Sequence, residues 1–157
     1  MKVPKISAGI LLYRKTGNDI EVFLVHPGGP FWAKKDYGTW SIPKGELEND
    51  GEDFLTAAKR EFTEETGFAV PSAVILTPLS SVEMKTKTIH AWATLGDCDP
   101  TKLVSNTFSM EWPPRSGRQQ SFPEIDRGEF FDIATARHKI IPVQIPFLER
   151  LESILSS

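Results

Sequence analysis

Glu61, Glu64 and Glu65 stand at i, i+3 and i+4 in the run Arg60-Glu61-Phe62-Thr63-Glu64-Glu65-Thr66-Gly67-Phe68. On a helix their carboxylates share one surface. Like charges at that spacing repel by about 0.2–0.5 kcal/mol per pair. The repulsion asks for a compensating cation, and hard divalent ions such as magnesium or manganese take oxygen ligands of this kind. Most Glu-rich helical segments are simply solvated faces. Helical phase separates the two readings. At about 100° per residue, Phe54, Leu55, Ala58 and Phe62 form an apolar stripe, and Glu61 and Glu65 fall on or beside it. Carboxylates at the margin of a core line a cleft, where low dielectric strengthens cation binding.

A second chemical cluster lies upstream. His26, Trp32, Lys34, Lys35, Tyr37 and Trp40 crowd the stretch His-Pro-Gly-Gly-Pro-Phe-Trp-Ala-Lys-Lys-Asp-Tyr-Gly-Thr-Trp. Bases stack on aromatic rings and phosphates pair with lysines. Trp32, Lys34, Lys35 and Tyr37 are therefore candidate substrate contacts. The competing reading of the lysines is ordinary surface charge, and Trp40 is expected to pack beneath the sheet. Arg115 and Arg118 sit in a Gly/Ser loop, where contact with phosphates competes with the favoured reading of solubilising charge. His90 and His138 fit no ligand pattern. Cys98, between two aspartates, is a poor nucleophile because negative charge raises a thiol's pKa.

The elements that must position these groups follow from pattern. Residues 6–15 and 21–26 read as a strand pair joined by the turn Thr16-Gly17-Asn18-Asp19. A long loop opens at Pro27-Gly28-Gly29-Pro30, and Trp40-Ser41-Ile42 reads as a short strand entering Pro43-Lys44-Gly45. The acidic helix should run from Asp50 or Gly51 to Thr66, with Gly67 as C-cap. Further strands are expected at 73–78, 87–95 and 129–132, and helices at 134–139 and 143–154. Residues 96–125, rich in Pro, Ser and Arg, read as irregular. Strands alternating with a few helices give an α/β layered domain with a mixed sheet.

Whole-chain properties narrow the field. The 157 residues form one expected domain, 1–157, with 39% apolar and 25% charged residues. A net charge of −3 does not suggest a general nucleic-acid binder. The single cysteine allows no internal disulfide and suits a reducing compartment. The apolar run from Ile6 to Tyr13 is stopped by Arg14-Lys15, too short to span a membrane. A cytoplasmic protein is expected, and nothing here speaks to oligomeric state. Absent are a G-x-x-x-x-G-K-S/T loop, a G-x-S-x-G elbow and an H-E-x-x-H pair.

Residues 45–68, Gly-Glu-Leu-Glu-Asn-Asp-Gly-Glu through Gly67-Phe68, resemble the signature of the Nudix hydrolases. That pattern is Gly, five residues, Glu, seven residues, Arg-Glu, an apolar residue, any residue, Glu-Glu, any residue, Gly and an apolar residue. From Glu52 onward the match has no gap. Upstream, Gly45 is followed by six residues before Glu52, so one residue is inserted in the polar turn Glu48-Asn49-Asp50-Gly51. A longer solvated loop costs little.

The resemblance implies an α/β/α sandwich and magnesium- or manganese-dependent hydrolysis of a nucleoside diphosphate linked to another group. It implies that Glu61 and Glu65 bind the metal, joined by the backbone carbonyl of Lys44. Glu64 serves either as a further ligand or as the base that orients water, because neighbouring carboxylates share their titration. Arg60 and Glu52 are implied as an orienting ion pair. The family often draws one more acid from a later loop. Glu124 is the candidate here, with Glu111 and Glu129 as rivals. Trp40-Ser41-Ile42-Pro43-Lys44-Gly45 is similar to the entry sequence of the dinucleoside tetraphosphate and diphosphoinositol polyphosphate branches. Residues 26–40 also resemble bacterial members described as nucleoside triphosphate pyrophosphohydrolases. The alternative to an enzyme is a nucleotide-sensing module that kept the fold. The complete set of Glu52, Arg60, Glu61, Glu64 and Glu65 favours the enzyme.

Overall fold

The computed structural model describes residues 5–71 and 74–156. Long runs of apolar residues put β1 (Lys5–Thr16) and β2 (Asp19–Pro27) into a hairpin. Its two-residue turn has Gly17 at a φ of +65°, a region where a side chain would be strained. After these come β3 (Lys44–Glu46), α1 (Phe54–Thr66), β4 (Thr77–Glu83) and β5 (Lys87–Leu95). The chain closes with β6 (Thr107–Glu111), β7 (Gln119–Pro123), β8 (Ile125–Asp132), α2 (Ile133–Lys139) and α3 (Ile145–Leu155).

The main sheet runs β4-β5-β1-β2-β8, with β3 paired to β1. The β1–β5 pair is parallel and the others antiparallel, so the sheet is mixed. Successive side chains of a strand face opposite ways. Ala8, Ile10 and Leu12 therefore pack with Ala57, Ala58 and Phe62 of α1. Leu11, Val22 and Leu24 pack on the other side with Ala136, Phe147, Leu148 and Leu151 of α2 and α3. Burial of β1 on both faces explains why it reads as a continuous apolar run. The result is the expected α/β/α sandwich.

One irregularity in the sheet positions the site. Pairing of β1 with β2 is confined to the turn end, Tyr13↔Val22 to Thr16↔Asp19. Into the fork beyond it wedge residues 41–46. Ser41 and Val25 exchange backbone hydrogen bonds, and the Ile10 N–H donates to the Pro43 carbonyl at 3.1 Å. Gly9 makes room: a Cβ there would come 2.5 Å from the Pro43 oxygen and 2.6 Å from the Lys44 Cβ. The fork thus carries Lys44 and Gly45 toward the face of α1.

Several expectations are corrected. Trp40 and Ser41 make only isolated bridges, and the strand is Lys44–Glu46, because Pro43 has no N–H to continue a ladder. The strand expected at 73–78 lies at Thr77–Glu83, and Ala73 itself is outside the described residues. A bulge between Pro78 and Ser81, with Ser80 at φ +61°, breaks the period-2 pattern there. Leu79 and Val82 are the buried residues, while Ile75 is exposed. Residues 96–125 are not irregular throughout, since β6 and β7 form a separate hairpin. β6 does alternate, with Phe108 and Met110 half-buried between exposed Thr107, Ser109 and Glu111, but the run is only five residues long and its partner β7 offers only Phe122 to pack. β8 begins at Ile125, earlier than Glu129. α1 begins at Phe54, because residues 48–51 are spent on a turn and Asp53 caps the helix, accepting the Thr56 N–H at 3.0 Å. Its buried stripe is Ala57, Ala58, Phe62 and Thr66, with Phe54 and Leu55 half-buried.

Candidate active site

α1 lies across the fork with its acids facing β3. Arg60 is the hub. Its Nε and Nη2 donate to the two oxygens of Glu52, each at 3.0 Å, a two-pronged contact that only a guanidinium can make. Its Nη1 donates to Glu61 at 2.6 Å and Glu64 at 3.1 Å, and its Nη2 also reaches the Glu46 carbonyl at 3.2 Å. Glu52 in turn accepts the Glu48 N–H at 2.8 Å, closing the inserted turn, where Asn49 Oδ1 accepts the Gly51 N–H at 3.0 Å. The hydrogen bond from Arg60 holds the Glu52 carboxyl below its ordinary range.

Glu61 and Glu65 flank the wedge. The Glu61 carboxylate lies over Gly45, and a Cβ on Gly45 would collide with it. Burial raises the Glu61 carboxyl above its ordinary value, and Arg60 opposes that shift. Glu65 differs. Its Oε2 meets the Lys44 N–H only at 3.4 Å, and among the described residues no ion pair reaches it. Burial pushes its carboxyl up to about 8, against the opposing charge of Lys44, with Glu61 and Glu124 adding to the rise. Burial also lowers the Lys44 ammonium, and Glu65 opposes that shift.

Glu124 faces the same acids, at the junction of β7 and β8. Its N–H donates to the Asn106 carbonyl at 2.8 Å, and its carbonyl accepts the Gly28 N–H at 2.8 Å. Asn106 and Val104 donate to the Glu64 and Thr66 carbonyls at 3.1 and 2.9 Å, so the end of α1 and Glu124 share one backbone tie. Of the rivals, Glu111 accepts the Arg115 N–H in the β6–β7 hairpin, and Glu129 is exposed on β8.

A cleft of about 310 Å³ brings together Trp32, Lys44, Glu65 and Glu124 over a floor of Val25 and Ile125. Lys34, Lys35 and Tyr37 do not line it. Lys34 is exposed, Lys35 places its ammonium 5.1 Å from the Trp32 ring centre, and Tyr37 faces Lys139 at 4.8 Å. Trp40 is 1% exposed and packs edge-on against Phe131, its indole N–H donating to Asp36 at 2.8 Å. Arg115 and Arg118 are exposed in the hairpin's connecting loop. His90 packs on Phe54, and the exposed His138 supplies a carbonyl to Gly38. Burial raises the Cys98 thiol to about 11, which makes it inert.

Asn106 and the Gly28 N–H, both tied to Glu124, escaped the sequence reading. Each acts through the backbone or through a partner far away in the chain, and no local pattern marks such contacts.

The donors suit a hard divalent cation in kind, since Glu61, Glu65 and the Lys44 backbone offer oxygen alone. Glu65 supplies the specific signal: a buried carboxyl raised to about 8 is one that a nearby cation would return to its charged form. Among the described residues, acidic, His and Cys side chains do not form a ready-made cage of three or more. Arg60 instead holds one oxygen each of Glu61 and Glu64.

The family model described as NUDIX domain matches residues 3–151. No curated protein matches the chain. Among solved structures, an Ap4A hydrolase from C. elegans in a binary complex is similar at 21% identity, with 97% of this chain and 98% of that one covered and a TM-score of 0.63. A mutT/nudix family protein from Listeria innocua is similar at 16% identity, over 99% and 96% of the two chains, with a TM-score of 0.63. The NUDIX domain of NrtR from Shewanella oneidensis, complexed with ADP ribose, gives 15% identity, 99% and 90% coverage and a TM-score of 0.62. At these identities the likeness is one of fold.

Proposed function

Because the chain belongs to the Nudix family, the hydrolases of phosphoanhydride bonds, we propose that it is a magnesium-dependent pyrophosphohydrolase of a dinucleoside polyphosphate such as diadenosine tetraphosphate. Manganese is the substitute metal. The observation that carries this reading is the cleft in which Lys44, Glu65 and Glu124 face one another beneath Trp32. A base stacks on Trp32, and the phosphate chain runs past the Lys44 ammonium toward Glu61 and Glu65. Glu61, Glu65 and the Lys44 carbonyl would hold the cation. When bound, the cation offsets charge on non-bridging phosphate oxygens and makes a held water more acidic. Arg60 and Glu52 keep the acids in register. Glu64 or Glu124 accepts the proton of the attacking water, and the second of the two orients it. The retained acid set supports turnover over a purely sensing role.

Beside Trp32, Phe31 is 59% exposed and stands edge-on to Trp112 at 5.5 Å, offering a ring for a second base. A broad nucleoside triphosphate pyrophosphatase is the competing reading, supported by Trp32 being the one aromatic of the described cleft lining. The net charge of −3 supports a free nucleotide over nucleic acid as substrate, and the lone cysteine supports a cytoplasmic setting. Among the described residues, no helix is long and apolar enough to cross a membrane.

A substrate panel with magnesium, with products identified by mass, separates the readings. We expect diadenosine tetraphosphate to show a higher kcat/KM than ATP. Equal or better hydrolysis of all four simple triphosphates would overturn the dinucleotide assignment.

A further inference from the structure

His26 ends the buried part of β2 and is 0% exposed. Its ring touches two oxygen acceptors. Nδ1 lies 2.8 Å from a carboxylate oxygen of Asp126 on β8, and Nε2 lies 2.7 Å from the backbone carbonyl of Lys35. A carbonyl and a carboxylate both accept, so each contact requires an N–H on its nitrogen. A neutral imidazole has one N–H and can serve one of the two. The ring that serves both carries both protons.

The second contact has a mechanical consequence. The loop from Gly28 to Thr39 is a series of tight turns, with Trp32 N–H on the Gly29 carbonyl and Lys35 N–H on the Trp32 carbonyl. Its ends are fastened, by Gly28 to Glu124 and by Asp36 to Trp40 and Lys139. Between residues 30 and 35, the one described hydrogen bond leaving the loop is that from His26 to Lys35. From the His26 ring, the tie runs through the Lys35 peptide to Trp32, the aromatic wall of the cleft.

We propose that His26, pinned by Asp126, is a positioning residue for the cleft, holding the Trp32 loop in place through two ring N–H groups at once. The inference rests on the nucleotide site proposed above. Charged groups surround the His26 ring unevenly. Asp126 touches it directly, while Arg127, the cross-strand partner of His26 on β8, places its guanidinium 5.2 Å from the centre of the Trp40 ring, which itself lies 5.1 Å from the imidazole. Asp36 of the loop and Lys139 at the end of α2 neutralise each other at 2.6 Å. Loss of one ring proton removes one hydrogen bond. The buried ring then keeps Asp126 or Lys35, and release of Lys35 frees the segment that carries Trp32.

The test is ¹⁵N NMR of the nucleotide-free protein as a function of pH, following the two His26 ring nitrogens, the Lys35 amide and the Trp32 indole. We expect both ring nitrogens protonated while the loop signals hold their fastened positions. Loss of one proton should coincide with movement of the Lys35 and Trp32 signals. A singly protonated ring with unmoved loop signals would overturn the proposal. This readout needs no turnover, so it stands apart from failure of the hydrolase reading.

Kinetics supply the second arm. His26→Gln should raise KM roughly tenfold, the scale of one charge-assisted hydrogen bond, with kcat nearly kept. Asp126→Asn keeps an acceptor and removes the charge. It should raise KM with kcat nearly kept, because the ring loses the charged partner that pins it. Asp126→Asn also serves if His26→Gln fails to fold. An unchanged KM in Asp126→Asn would contradict the positioning role.

Discussion

Arg60 grips Glu52 with two parallel hydrogen bonds, both at 3.0 Å, and the same guanidinium reaches Glu61 at 2.6 Å. The geometry of one acid is thereby set through another that lies outside α1. Lysine offers a single ammonium and cannot form the fork. Arg60→Lys should therefore lower kcat by about 10–100-fold, the usual cost of disturbing groups that orient metal ligands. Steady-state rates with saturating magnesium check this. Wild-type kcat in the variant would show that the fork does not set the acids.

Glu65→Gln removes one charge and one ligand oxygen while keeping shape. Turnover should fall at least about 10²-fold. Stability should respond in the opposite sense. In the metal-free protein the Glu65 carboxyl is raised to about 8, from an ordinary value of 4.5. Below the ordinary value both folded and unfolded chains hold the proton. Between the two values only the folded state holds it, so stability falls as pH rises toward 8 and then levels. The slope cannot exceed about 1.4 kcal/mol per pH unit from this one group. Thermal melts in chelator should show Tm of the wild type dropping from pH 5 to 8, relative to Glu65→Gln. Parallel Tm curves for the two proteins would refute the assignment.

Much of the site was legible because its parts are local in sequence. The acids lie one turn apart on one helix, and Asp53 and Gly67 cap that helix as their residue types suggest. Glu124 was reachable only through the family resemblance, and its tie to α1 through Asn106 spans a contact no local pattern encodes. The loop from Gly28 to Thr39 misled for a related reason. Composition placed lysines and aromatics in one stretch, but tight turns send Trp32 into the cleft and Tyr37 toward Lys139. The bulged strand β4 lacks the alternation by which strands are read, while the alternation of β6 spans only five residues and its partner β7 has a single half-buried residue, Phe122.

That division of the loop gives a prediction at odds with the composition alone. Trp32→Ala should raise KM by the equivalent of about 1–3 kcal/mol, the scale of one base stacked on an aromatic ring. The expectation that Lys34 and Lys35 bind phosphate predicts a raised KM when their charges are removed. Their placement outside the cleft predicts instead that Lys34→Gln leaves KM within about twofold, as for a surface change. Lys35→Gln should act only through the Trp32 ring it covers. Michaelis constants for the three variants decide between them.

The central claim is a cation-dependent hydrolase built on Glu61 and Glu65. Its most direct test is the initial rate of product release from diadenosine tetraphosphate and from ATP, measured first in excess chelator and then across a magnesium titration. The account predicts near-zero turnover in chelator, saturable recovery with magnesium or manganese, and no recovery in Glu65→Gln. Full activity in chelator would contradict it.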